Sequence, residues 1–312
     1  MDGGQSPRLV NDVIPSGRAI IAVWKTDRRI MGRIVFAAGV PHVGAILIGI
    51  KRAGEQGERV KQAFDRLRDE LRAAKPDALI IFGSDHFKSF FYDLAPRFCI
   101  GVGAECGAWD EGVLSRDVVE TFRVPVHQEL ACDILFKAVE KGFDLNSAEE
   151  LRLDHSFYSP IERLTPEHDV PIVPIVINVA IAPRPSLRRC YELGRAIGEI
   201  IKTRWENERV AIIGTGGMSH TVGVPEYGFI NADLDRQFLG LLATNHVEEI
   251  LDNWTQEFVE KEGGNGMNEI RMWLAMAGAV AGATGEILLY EAMQSWGTGA
   301  GLLRMNTNTA KI

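Results

Sequence analysis

Cysteine is scarce: the 312-residue chain holds four, Cys99, Cys106, Cys132 and Cys190. No two form a CxxC pair and no spacing matches a zinc knuckle, and a chain of this length needs no disulfide staples. They read as buried or free thiols of a reducing compartment. Long hydrophobic runs are also missing. The longest near the N-terminus, Ala19-Ile20-Ile21-Ala22-Val23-Trp24, falls far short of the ~20 residues a membrane span requires. It is shorter than the ~7–15 residues of a secretory core, and no clear small-residue cleavage site follows. A cytoplasmic protein is expected. Nor is positive charge in excess: 34 Lys and Arg stand against 42 Asp and Glu, a net charge of −8, which argues against nucleic acid or an anionic membrane as partner. A GxSxG nucleophile elbow is absent, as are the GxGxxG spacing and the Gly-Lys-Ser/Thr ending of phosphate loops.

What remains is an ordinary globular composition, 46% hydrophobic and 24% charged, long enough for one large core. Gly3, Gly4, Ser6, Pro7, Pro15, Ser16 and Gly17 break any periodicity at the start, so residues 1–30 read as an N-terminal extension and 31–312 as one domain without repeats or linkers. In that domain apolar runs alternate with helical patterns. Val60, Phe64, Leu67 and Leu71 share one helical face, and Lys75-Pro76-Asp77 stops that helix. Near-continuous runs, Arg33–Ala37, Ala78–Gly83, Pro171–Ile177 and Arg209–Gly214, have the character of strands buried on both faces, and 187–202 and much of 233–283 look helical. The expected fold is α/β: a single domain with a largely parallel central sheet flanked by helices, and an active site beyond the C-terminal ends of the strands.

Three of the seven histidines share a place in that scheme. His42, His86 and His220 each follow a predicted strand, where ligands of open α/β sheets bind. For a lone histidine a hydrogen-bonded loop or core position is the commoner role, and only convergence would make a site of them. Gly214-Thr215-Gly216-Gly217-Met218-Ser219-His220 has adjacent glycines that permit positive φ and close backbone approach, suited either to a plain turn or to aiming a side chain into a pocket. Asp85-His86 and Asp154-His155 place a carboxylate beside an imidazole in sequence, yet neighbouring side chains often diverge. Glu269, expected in the first turn of a helix, suits the helix dipole as well as it suits a ligand role.

Taken in order, Gly39-Val40-Pro41-His42, Pro76 to His86, Leu153-Asp154-His155, Gly214 to His220 and Asn268-Glu269-Ile270-Arg271-Met272-Trp273-Leu274 resemble the class III extradiol ring-cleavage dioxygenases. The resemblance runs from about Gly32 to the C-terminus. It implies that His42, His86 and Glu269 bind Fe(II), and that the catalytic residues His155 and His220 handle protons and contact substrate. It implies a catechol-type small molecule and O2 as substrates, a homo-oligomer, and room for a small partner subunit over the site. Two imidazoles and a carboxylate on one face of Fe(II) leave positions open for exogenous ligands, and histidine can take or give protons near neutral pH. The alternatives are a metal-dependent hydrolase with the same ligands and a non-catalytic metal-binding member of the fold. Lys88 and Arg184 are candidates to meet a substrate carboxylate, although a solvated surface charge is the commoner role for such residues.

Overall fold

Strands form where apolar residues run without interruption. In chain order they are β1 (Arg33–Val40), β2 (Ala78–Gly83), β3 (Phe98–Gly101), β4 (Glu105–Ala108), β5 (Val124–Pro125), β6 (Asn146–Ala148), β7 (Arg152–Leu153), β8 (Ile172–Ile177), β9 (Arg209–Thr215), β10 (Gly285–Met293) and β11 (Thr298–Met305). This computed structural model describes residues 32–204, 207–225 and 227–307. The expected N-terminal extension over 1–30, with its Ala19–Trp24 run, lies outside the described residues.

Eight strands build one sheet in the order β10-β11-β1-β9-β2-β8-β3-β6. Its centre, β1-β9-β2-β8, is parallel throughout, while β11 and β10 join antiparallel on one side and β3 antiparallel on the other. All six residues of β2 and of β8 are buried, as strands covered on both faces must be. The expected α/β sheet is therefore present, with antiparallel margins. A smaller sheet, β5-β4-β7, packs beside it.

Helices cover both faces. In Gly54–Ala74 the stripe Val60, Phe64, Leu67 and Leu71 is buried, and Lys75 ends the helix in the left-handed region ahead of Pro76. Helix Ile270–Ala279 is buried at every position. It lies backbone to backbone on helix Leu187–Lys202, where a Cβ at Gly194, Gly198 or Gly278 would overlap the facing main chain. Such a helix must satisfy its polar groups internally. Arg271, 1% exposed, donates to the carbonyl of Pro185 at 2.7 Å, to Asn268 Oδ1 at 2.7 Å and to Gln256 Oε1. This packing fixes Glu269, which immediately precedes the helix. Among the described residues no helix is long and apolar enough to cross a membrane.

Candidate active site

The adjacent parallel strands β1, β9 and β2 end at one level, and each delivers a histidine. His42 follows β1, His86 follows β2 and His220 ends the turn after β9. The fourth, His155, opens helix His155–Leu164 behind its N-cap Asp154. Each imidazole has its Nδ1 engaged from behind: His42 with Thr215 Oγ1 at 3.0 Å, His86 with Asp154 Oδ2 at 3.0 Å, His155 with both oxygens of Glu111 at 3.2 Å, and His220 with the Met218 carbonyl at 2.8 Å. Carboxylates and carbonyls only accept, so Nδ1 carries the proton in the last three and Nε2 is left for the site. Rings of His86 and His155 stack with centroids 4.1 Å apart, and His42 meets both edge-on at 5.2 and 5.5 Å.

Glu269 closes the arrangement. It ends a 3-10 turn, Asn265–Glu269, and not the first turn of the following helix as the sequence suggested. Its Oε2 accepts the Gly217 N–H at 2.6 Å and lies 3.1 Å from His42 Nε2. Its Oε1 lies 3.3 Å from His86 Nε2 and 3.9 Å from His220 Nε2. The turn after β9 has to come this close: a Cβ on Gly216, at φ +148, would stand 2.9 Å from that of Glu269, and one on Gly217 would stand 2.7 Å from Thr298 Oγ1. Burial opposes ionisation of Glu269, but His42, His220 and His86 outweigh it and hold the carboxyl well below its usual range. Burial similarly disfavours charge on His86, yet Asp154 and Glu269 raise its pKa well above the ordinary value. His42, with no carboxylate behind it, is lowered by burial.

These donors fit a metal ion. His86, its pKa raised by two carboxylates, can donate from Nδ1 to Asp154 and from Nε2 to Glu269, and a metal ion between Nε2 and the Glu269 carboxylate would take the place of that second proton. The separations suit that role: for ligand bonds of about 2.1 Å, two donors at a right angle stand about 3.0 Å apart. Two overlapping sets are available. His42, His86 and Glu269 form one; His42, His86 and His155, whose ligand atoms lie within 4.8 Å of one another, form the other.

The two carboxylate–histidine neighbours in sequence do diverge in the fold. Asp154 serves His86, 68 positions away, and not its neighbour His155; it also takes the His86 backbone N–H at 2.7 Å. Asp85 accepts the backbone N–H groups of Lys88, Ser89 and Phe90 and so ties down the loop behind His86. Glu111 carried no sequence signal. Asp235 was missed as well: fully buried, it accepts from Ser219 N–H and Oγ and from the Tyr290 hydroxyl, anchoring the turn that bears His220. Neither candidate cation stands free. Arg184 is bound to Glu260 and the Val179 and Ala180 carbonyls, and Lys88 lies 3.6 Å from Glu111. A cavity of about 1060 Å³ beside Trp109 and Arg152 has no site histidine in its wall, so its size does not mark the chemistry.

Comparison with known proteins gives the family. The family model described as "Catalytic LigB subunit of aromatic ring-opening dioxygenase" matches residues 36–301. A 2,3-dihydroxyphenylpropionate/2,3-dihydroxicinnamic acid 1,2-dioxygenase of Photorhabdus laumondii is 34% identical over 200 residues, 63% of this chain and 59% of that one. The enzyme of the same name from Cupriavidus necator is 27% identical over 301 residues, covering 82% of this chain and 91% of its own. One from Escherichia coli K12 is 28% identical over 310 residues, covering 84% and 96%. Among solved structures, an uncharacterized Escherichia coli K12 protein shares the fold with a TM-score of 0.55 and 14% identity, over 79% of this chain and 92% of that one.

Proposed function

We propose that this chain, which belongs to the LigB family of catalytic subunits of aromatic ring-opening dioxygenases, performs an Fe(II)-dependent extradiol cleavage of a catechol-type substrate. Family membership makes it a ring-cleaving oxidoreductase, which sets aside the hydrolase and non-catalytic alternatives. The observation that carries the finer reading is the pair of imidazole Nε2 atoms facing one buried carboxylate, with two further imidazoles beside them. In this reading His42, His86 and Glu269 hold the metal, and His155 and His220 remain for protons. Carboxylate ligation is favoured over His155 because Glu269 brings negative charge to the ion and its oxygens lie 3.1 Å from His42 Nε2 and 3.3 Å from His86 Nε2.

When bound, Fe(II) supplies a redox-active Lewis acid with open positions beside its two-histidine, one-carboxylate face. The chain supplies the rest. Asp154 fixes the tautomer of His86, and the Gly217 N–H fixes the orientation of Glu269, so the ligand atoms are held before any ion arrives. His220, its Nδ1–H given to the Met218 carbonyl, keeps an Nε2 lone pair that can take a proton from a phenolic hydroxyl. His155, likewise presenting Nε2, can take up a proton from the second phenolic hydroxyl as substrate binds and give that proton to oxygen as the ring opens. Buried Trp273 supports the turn after β9 by donating its Nε1–H to the Gly216 carbonyl at 3.2 Å.

The test is anaerobic reconstitution with Fe(II), then addition of O2 with a panel of catechols beginning with 2,3-dihydroxyphenylpropionate, the substrate in the relatives' names. A yellow ring-opened product that requires ferrous iron and disappears on oxidation of the metal is expected. Equal turnover with zinc in the absence of O2 would overturn the reading. An aggregate no larger than one chain in solution would remove the expected homo-oligomer without touching the chemistry.

A further inference from the structure

We infer that Glu111 is the positioning residue of His155, an assignment that rests on the reading of His155 as a proton-transfer group. Glu111 sits in the short connection after β4, at the turn Asp110-Glu111-Gly112. Gly112 there has φ +71, and its N–H is accepted by Asp110 Oδ1 at 3.1 Å. The turn is thus shaped locally, and it sends the Glu111 side chain inward, where 8% of it is exposed.

Three groups converge on that carboxylate. His155 donates twice, through its backbone N–H to Oε2 at 2.7 Å and through Nδ1–H to both oxygens at 3.2 Å. Lys88 Nζ lies 3.6 Å from Oε1, and the buried Tyr158 hydroxyl of the same helix, which makes no hydrogen bond with the described residues, feels its charge. The backbone bond uses an N–H that helix His155–Leu164 leaves unpaired at its start. The side-chain bond then sets the ring about the same anchor, so one acceptor fixes both the main chain and the imidazole plane. An acceptor-only carboxylate also selects the tautomer: the proton stays on Nδ1 and Nε2 faces His42 and His86.

No other described group does this. Asp154, the sequence neighbour, is occupied by His86, Ser156 N–H and Ser156 Oγ. The faces of the His155 ring meet His86 in a stack and His42 at an edge, and neither ring supplies an acceptor for Nδ1. His220 provides the contrast: its Nδ1 partner is a carbonyl two residues away in its own turn, so its orientation is set locally. That of His155 depends on a residue 44 positions distant.

The test uses the full chain with Glu111→Ala and Glu111→Gln, and it has one readout independent of catalysis. In protein labelled with 15N-histidine and loaded with diamagnetic zinc, the Nδ1–H signal assigned to His155 by its loss in His155→Gln should disappear in Glu111→Ala and persist in Glu111→Gln, whose amide oxygen still accepts. In the ferrous enzyme, Glu111→Ala should lower kcat about 10–100-fold, the range for removing a partner that orients a functional imidazole. KM and iron content should stay within about twofold, and Glu111→Gln should recover part of the loss. An unchanged His155 signal in Glu111→Ala, or a wild-type kcat in both variants of an active enzyme, would overturn the assignment. So would loss of iron, which would make His155 a metal ligand. A wild-type protein that opens no catechol would instead overturn the proposed function, and the NMR comparison would still decide the role of Glu111.

Discussion

At the start of β9, Glu208 pairs with His127 Nε2 at 3.0 Å, and at the far end of the same sheet Glu269 faces His42 Nε2 at 3.1 Å and His86 Nε2 at 3.3 Å. Residue types and distances are nearly the same. The protons are not. His127 uses Nδ1 as an acceptor, capping helix Gln128–Glu140 through the Leu130 N–H at 3.2 Å, so its proton lies on Nε2 and points at Glu208. Arg204 completes the neutralisation, binding Glu208 and reaching Asp133 at 3.3 Å. At the other end the His86 proton is spent backwards on Asp154 and, among the described residues, no Lys or Arg pairs with Glu269. A buried histidine beside a carboxylate is therefore not a site in itself. It becomes one when the imidazole proton points away from the carboxylate and leaves a place for a cation.

The sharpest way to break this contrast is to remove donors at the C-terminal end. Alanine at His42, His86 or Glu269 should lower iron content and activity together, whereas His155→Ala and His220→Ala should keep iron and lose turnover by roughly 10²–10⁴, the range for a removed acid or base. Iron content beside turnover in all five variants checks it; full iron in Glu269→Ala would move the metal to the three histidines. Next in size is Gly266→Ala, because a Cβ there would overlap the His220 ring. Displacing that ring by about 1 Å should cost on the order of 10² in kcat with iron retained, read by the same two measurements.

At the opposite end the effects should fall on stability alone. Arg204→Met leaves Glu208 with one partner in place of two and should cost about 1–3 kcal/mol in denaturant unfolding, with kcat unchanged. A change in kcat would mean that the two ends are coupled. His127→Gln should show a smaller, pH-dependent loss. The hydrogen bond to Glu208 raises the pKa of His127 against burial. Its contribution is therefore full below the ordinary histidine range and is lost as pH rises through the raised value. The stability difference from wild type should shrink as pH rises from the ordinary histidine range through the raised value, by about 1 kcal/mol or less for a partly exposed pair. Growth of the difference with pH would reverse the assigned proton position. Smallest of all, a chain starting at Met31 should keep its fold and activity, since every site residue lies beyond it; inactive or insoluble protein would give residues 1–30 a part in the fold.

Much of this was legible in the residues. Buried strands announce themselves by unbroken apolar runs, and the Val60, Phe64, Leu67, Leu71 stripe by its spacing, because both depend on neighbours within a few positions. The places of His42, His86 and His220 after strands follow from the same local logic. The partners of the Arg184 guanidinium were not legible, because nothing nearby in sequence reveals Glu260 or the two carbonyls that bind it.

By itself, then, the sequence determined the elements, the parallel character of the sheet's centre and the identity of the residues at its C-terminal edge. Tertiary structure decided everything that depends on a proton's direction. That Asp154 serves His86, that Glu111 serves His155, that Asp235 anchors the turn of His220, and that His127 is closed off while His42 is not, all follow from groups 16 or more positions apart meeting within 3.3 Å. A hydrogen bond is short and directional, so its partner is chosen by the packed chain and not by sequence order.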